Sequence, residues 1–368
     1  MTLLTIFLVS VVVGLCAALL VMRGAWGQHF AVSFSGDPQH VHDGMIPRAG
    51  GIALGVSALA GAAVAHGTLV GTFYLVSAIL LSAVPILAVG LAEDIAGRVP
   101  PRWRYFASLL SAALAYQFAG AQLGRMDVEV FDAALTWQPL VFVVSMFCIA
   151  GVAQAFNIVD GKNGLSAGIA LIALLLFVLA SVDLNDRALA TVSAIGAGGA
   201  LGILVLNYPR GLVFLGDGGA YFLGFLIAVI AVVLVGRHDG ISAWYPLLLA
   251  AYPILETLAS FFRRLLIERQ GFHQPDHLHL HSLLYRALFL KLRRRFRPAP
   301  WQINSLCSLP ILIASLAVAL LAHHWRQETA QLQTLAVVVV LFYLLAYVAL
   351  RLTRARYRGR RTTRRLPS

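Results

Sequence analysis

Eleven runs of about 17–24 apolar residues, separated by short polar segments, leave this chain few ways to fold. They lie near residues 3–22, 49–66, 69–92, 105–122, 138–156, 166–182, 188–206, 219–236, 242–260, 303–322 and 333–350. Each is long enough to cross a hydrocarbon core of ~30 Å as a helix. In lipid, a spanning segment must satisfy its own backbone, which a helix does. Composition agrees: 60% of the 368 residues are apolar and 12% charged, against roughly 45–50% and ~25% in soluble domains. With a mean hydropathy of +0.82, no soluble core could hide this surface from water. The expected fold class is therefore all-α, a polytopic integral membrane protein of about eleven transmembrane helices. Residues 1–350 read as one multi-span membrane domain and 351–368 as an Arg-rich cytoplasmic tail. The first run lacks a basic leader and a small-residue cleavage pattern, so it reads as a retained span, with a cleaved signal peptide as the weaker alternative. Around Gly67 and Thr68 a short turn between two spans competes with a single broken helix.

A net charge of +12 would suggest nucleic acid in a soluble protein. Here the charges sit in the loops, where they report topology. An odd number of spans puts the termini on opposite sides, and the eight arginines between Arg351 and Arg365 keep the C-terminus cytoplasmic. Under that orientation 24 Lys and Arg fall on the inner side and four on the outer, which supports the parity. Lys291 to Arg297 and the tail are expected to contact anionic headgroups of membrane lipids. Cys16, Cys148 and Cys307 all lie in apolar stretches and imply no disulfide framework.

The polar residues that composition leaves unexplained gather in the inner loops. Glu93-Asp94 closes a span with two adjacent carboxylates, costly to desolvate without a cation or water beside them. Either the pair is a solvated helix end, or it helps hold Mg²⁺ together with substrate phosphates. Gly216-Asp217-Gly218-Gly219 permits close backbone approach, and Gly219 is expected to open the next span with N–H groups facing a phosphate; the plain alternative is an interhelical turn with an Asx cap. Phe214, just before it, could stack on a base or anchor a span end. Asn157, Asp160, Lys162 and Asn163, among Gly161 and Gly164, place amide, carboxylate and ammonium groups in one turn able to read a base or sugar, although Asp-Gly and Asn-Gly are also ordinary turn dipeptides. His279 and His281 share a face only in an extended segment. They lack a clear third and fourth ligand for zinc, and with Arg263, Arg264 and Arg286 they are better placed for a phosphate or diphosphate.

In this order and spacing, over about residues 37–286, the loops resemble the polyprenyl-phosphate N-acetylhexosamine-1-phosphate transferase family (glycosyltransferase family 4). Glu93-Asp94 matches the family's Asp-Asp pair, with Glu in first place. Asn157, Asp160, Gly161, Asn163 and Gly164 match its Asn-x-x-Asp-Gly-x-Asp-Gly segment, with Asn163 replacing the second Asp. Asp217 matches the metal-binding Asp and Phe214 the aromatic that packs on uracil. Asp276, His279 and His281 match the Asp-Arg-x-His-x-His-His loop, with His277 for Arg and Ser282 for the last His. Pro47-Arg48 and Gly50-Gly51 match the Pro-Arg-x-Gly-Gly entry to the second span. The departures look closest to the polysaccharide-initiating branch.

The resemblance implies a reaction: sugar-1-phosphate passes from a UDP-linked N-acetylhexosamine to undecaprenyl or another polyprenyl phosphate, releasing UMP with Mg²⁺, or Mn²⁺ in its place. Catalysis falls to Glu93, Asp94, Asp217, His279 and His281, with Asp217 and Asp94 the metal ligands. Substrate binding falls to Arg48, Asn157, Asp160, Lys162, Asn163, Phe214, Asp276, Arg263 and Arg264. Partners are the donor, the lipid acceptor, membrane lipids and a second copy of the chain, without nucleic acid. The location implied is a bacterial inner membrane, N-terminus outside. Phosphoryl transfer needs mainly positioning and charge neutralisation; direct attack by the lipid phosphate and a two-step route through an Asp94 phospho-enzyme both remain open. The competing classes are a transporter or flippase for anionic cargo and a catalytically impaired homologue. Acids and histidines collected at one face, without repeated halves, favour the enzyme.

Overall fold

The computed structural model describes residues 2–24, 31–32, 46–69, 72–268, 278–292 and 298–362. Fifteen α-helices make up nearly all of it, with one two-residue antiparallel ladder, β1 (Ala31–Val32) against β2 (Ile46–Pro47). The helices are α1 (Thr2–Arg23), α2 (Gly50–Thr68), α3 (Phe73–Ser82), α4 (Val84–Ala96), α5 (Pro101–Phe118), α6 (Glu129–Ala134), α7 (Gln138–Val159) and α8 (Leu165–Asp183). They continue as α9 (Arg187–Asn207), α10 (Gly216–Arg237), α11 (Trp244–Leu249), α12 (Ala251–Arg263), α13 (Leu280–Leu292), α14 (Pro300–His324) and α15 (Thr329–Thr362).

Among the described residues nine helices are long and apolar enough to cross a membrane, with α3 and α4 counted as one span, Phe73–Ala96. Two of the eleven expected runs are not among these nine. The run expected at 105–122 is α5, which begins at Pro101 and ends at Phe118, so Arg102 and Arg104 fall inside it and lower its hydropathy. The run expected at 242–260 is broken at Ala250 into α11 and α12. Pro246 and Pro253 explain the break, since each removes an amide donor and crowds the preceding turn. The Gly67-Thr68 region resolves into two separate helices, α2 and the α3–α4 span, and the Thr72 hydroxyl donates to the Leu69 carbonyl.

α10 is the centre of the bundle. It is buried along nearly its whole length and packs against α2, α4, α7 and α8. Small residues let helices approach without a large apolar driving force, as is usual in lipid. Gly198 and Gly202 on α9 take the backbone of α1 directly, for a Cβ on Gly202 would sit 2.7 Å from the Val11 carbonyl oxygen. The kink between α3 and α4 falls at Pro85, and the hydroxyl of Ser111 on α5 accepts the Ile86 amide there at 3.1 Å. Outer and lipid-facing positions are carried by α14 and α15, where Leu345, Phe342 and Ile313 are exposed.

Candidate active site

The site forms where the N-terminus of α10 meets the C-terminal ends of α4 and α7. Glycines allow this meeting: a Cβ on Gly90 of α4 would lie 2.5 Å from the Cα of Gly218, and one on Gly51 of α2 would lie 3.1 Å from the same atom. Gly216 itself has φ +72°, a left-handed conformation that favours glycine, immediately beside the Asp94 carboxylate.

Asp94 is 2% exposed. Its Oδ1 accepts from the Asp217 amide at 2.8 Å and its Oδ2 from the Gly218 amide at 2.9 Å. The adjacent Gly216 amide donates to Asp160. The first N–H groups of α10 are thus taken by two carboxylates from other helices, which satisfies both the unpaired amides and the positive end of the helix dipole. The expectation that Gly219 presents N–H groups to a phosphate is corrected accordingly. Gly219 is instead a packing residue, with Leu215 and Gly50 where a side chain would go.

Asp217, in the first turn of α10, projects from this cap and its side chain is 21% exposed. Asn157 donates to its Oδ1 at 3.0 Å, and the Arg104 guanidinium stands 3.6 Å from its Oδ2. Arg48 lies 3.8 Å from Asp94. Burial, then the Asp217 and Asp94 charges, pushes the Asp160 carboxyl well above the usual carboxylate range. Phe214 is held by its backbone: it donates to the Pro47 carbonyl at 3.0 Å, and its own carbonyl accepts the Gly50 amide at 3.1 Å. The Pro47–Gly51 segment and the Phe214–Gly219 segment, expected separately, are one clasp.

Other expected site residues do different work. Glu93 accepts the Val99 amide at 2.6 Å and closes the turn after α4. Asn163 is 2% exposed, donates its amide hydrogens to the Pro209 carbonyl at 3.0 Å and to Ser305, and accepts a hydroxyl from Ser308 on its backbone oxygen. It anchors the α7–α8 turn to α14. Lys162 packs its ammonium 4.5 Å from the centroid of Tyr285 on α13, with burial and nearby Arg286 lowering its pKa. Arg263 is 6% exposed beside Ser260, 3.5 Å away; Arg264 begins the π-helical turn Arg264–Glu268. Asp276 lies outside the described residues.

His279 and His281 are brought together although α13 begins between them. Their rings stack at 5.2 Å, 11° from parallel. A Cβ on Gly161 would lie 3.4 Å from His281 Nε2, so His281 abuts the Asp160–Gly164 turn. Burial, with His279 and Lys162 beside it, holds His281 well below the ordinary imidazole value, so it stays neutral and offers no positive charge.

Sequence reasoning missed Arg104 and Glu256 as site residues. Glu256 of α12 is 1% exposed and accepts from His279 Nδ1 at 3.0 Å. The signal was present: an acid within an apolar run is a site hypothesis in itself.

Among the described residues no three His, Cys, Asp or Glu side chains form a ready metal cage. The donor set nevertheless suits a hard divalent cation that keeps several waters, which needs only one or two carboxylates plus phosphate oxygens. Three carboxylates gather here against two arginines standing 3.6 and 3.8 Å away.

Fold and site together define a multi-pass membrane protein with a cluster of carboxylates and arginines at one end of its bundle. The chain matches the family model described as glycosyl transferase family 4 over residues 76–235, which runs from the α3–α4 span to the end of α10. A probable undecaprenyl-phosphate N-acetylglucosaminyl 1-phosphate transferase of Bacillus subtilis is 26% identical over 250 residues, 66% of this chain and 67% of the relative. An undecaprenyl-phosphate alpha-N-acetylglucosaminyl 1-phosphate transferase of Thermotoga maritima is 30% identical over 56% of this chain and 61% of its own length. A decaprenyl-phosphate N-acetylglucosaminephosphotransferase of Mycobacterium leprae is 28% identical over 66% of this chain and 67% of its own.

Proposed function

We propose that the protein transfers N-acetylhexosamine-1-phosphate from a UDP-linked donor to undecaprenyl or another polyprenyl phosphate, releasing UMP and starting a cell-envelope glycan. The observation that carries this reading is Asp217: a partly exposed carboxylate at the capped N-terminus of α10, set between Asn157 and Arg104, in a chain whose relatives are named for this transfer. Asp217, with Asp160 beside it, would hold Mg²⁺. When bound, the cation supplies charge neutralisation to a diphosphate.

The remaining work belongs to the chain. Arg104 and Arg48 bring positive charge to the phosphates. Phe214, pinned through Pro47 and Gly50, offers a face to the base. A phosphate oxygen of the lipid attacks the sugar-bearing phosphorus, the bond from that phosphorus to the bridging oxygen breaks, and UMP leaves with that oxygen. An Asp94 phospho-enzyme would forfeit both amide bonds that cap α10, so direct attack is the route this geometry supports. We place the site on the cytoplasmic face of a bacterial inner membrane, with the N-terminus outside.

The test is release of UMP by purified protein given undecaprenyl phosphate, Mg²⁺ and a panel of UDP-sugars. UMP formation that depends on the lipid and is lost in Asp217→Asn supports the reading. No UMP from any donor, or unchanged turnover in Asp217→Asn, overturns it.

A further inference from the structure

Glu256 is an acid inside an apolar helical run, where an unoccupied carboxylate is expensive. Its oxygens reach the start of α13, with Tyr252 and Tyr343 also beside them. Oε1 accepts from His279 Nδ1 at 3.0 Å and from the Leu280 amide at 3.1 Å, and Oε2 also lies 3.1 Å from that amide. Ser260, one turn further along α12, stands 3.2 Å from the same Nδ1. Because Oε1 already acts as an acceptor for the Leu280 amide, the geometry puts the proton of the His279 bond on Nδ1, with the opposite nitrogen, Nε2, pointing away from Glu256. His281, stacked on His279, is held by another group: the Tyr252 hydroxyl is 3.1 Å from its Nδ1. One imidazole of the pair is therefore backed by a carboxylate and the other by a phenol. His281 abuts, at Gly161, the turn that carries Asp160, and His279 stacks on His281 from behind.

We propose that Glu256 is a positioning residue for His279: it fixes the Nδ1–H tautomer and the ring plane, and so presents Nε2 toward the donor diphosphate. This rests on the transfer reaction proposed above. Glu256 itself touches no substrate, and its effect on turnover runs through His279.

The experiment uses the full chain in lipid nanodiscs. Nitrogen-15 spectra of histidine-labelled protein, with the His279 signals assigned by their loss in His279→Gln, are expected to show Nδ1 protonated in the native chain and a smaller Nδ1–H population in Glu256→Gln. With a donor that supports UMP release, Glu256→Gln lowers kcat on the order of 10²-fold with donor KM within about threefold. Glu256→Asp recovers part of kcat, and in a His279→Gln background Glu256→Gln causes no further loss. An unchanged His279 tautomer, or losses that add in the double variant together with a lowered Tm, overturns the inference, because a mere cap on α13 behaves that way. If Glu256→Gln does not fold, Glu256→Asp alone decides through the same spectra and the same double-variant comparison. Should the native protein release no UMP from any donor, the proposed reaction fails while the tautomer result still tests the Glu256–His279 coupling.

Discussion

Asp94 and Asp217 are 123 residues apart in sequence and adjacent in space, yet they do opposite things. Asp94 is spent on the α10 amides, and Asp217 stays partly exposed. Replacing Asp94 with Ala strands two buried amides, so stability should fall by about 1–3 kcal/mol, read as a lower Tm in detergent. Asp217→Asn removes one of three mutually repelling carboxylates; its Tm should hold or rise while turnover drops by ~10²-fold or more. Equal loss of Tm in both variants would contradict this division of labour. His281 adds a pH dependence. Its folded value lies well below the ordinary 6.5, so the unfolded chain takes up a proton that the folded one refuses. Stability conferred by keeping this ring neutral is thus present above about pH 6.5 and declines as pH falls below it. Denaturation midpoints between pH 7.5 and 5 should show this slope, reduced in His281→Gln.

Between elements, backbone approach and turn chemistry decide the geometry. Gly90→Ala places a methyl 2.5 Å from the Gly218 Cα, where only backbone could yield. Forcing α4 and α10 apart there should cost about 1–3 kcal/mol and separate Asp94 from the amides it caps, abolishing UMP release in protein that still inserts. At the other end of the bundle, Asp127 accepts from Ser242, the Ala243 amide and Arg125 at 2.8, 2.7 and 2.6 Å. Those bonds hold its carboxyl below the usual range although its partial burial opposes them. Asp127→Ala should lower Tm and leave kcat unchanged, since it lies at the far end from Asp217; a matching loss of kcat would show that the two ends are coupled. The alternating apolar runs made most of these helices legible. The break at Ala250 was not, because α11 and α12 together have the composition of one span, and the effect of Pro246 and Pro253 depends on what packs against the unpaired carbonyls.

Over the whole molecule, the helices thread so that Arg23, Asp94, Asp160, Asp217 and the start of α14 share one end, while Asp127, Asp186 and Arg326 share the other. Cysteines introduced at the exposed Arg98 and Asp239 should therefore be labelled by an impermeant reagent from opposite faces, in protein lacking its native cysteines. Labelling of both from one side would refute this threading. Chelation of divalent cations should abolish UMP release, and adding Mg²⁺ should restore it, without unfolding the bundle, because Asp94 is already satisfied by the α10 amides. The sequence by itself determined the solvent, the helical class, the order of the polar loops and the family they resemble, since length, hydropathy and motif spacing are local properties of the chain. Only the tertiary structure decided which carboxylate caps a helix and which stays partly exposed, that Asn163 is an anchor, and that Glu256 stands behind His279. Those roles depend on distances between residues far apart in the chain, which packing alone sets.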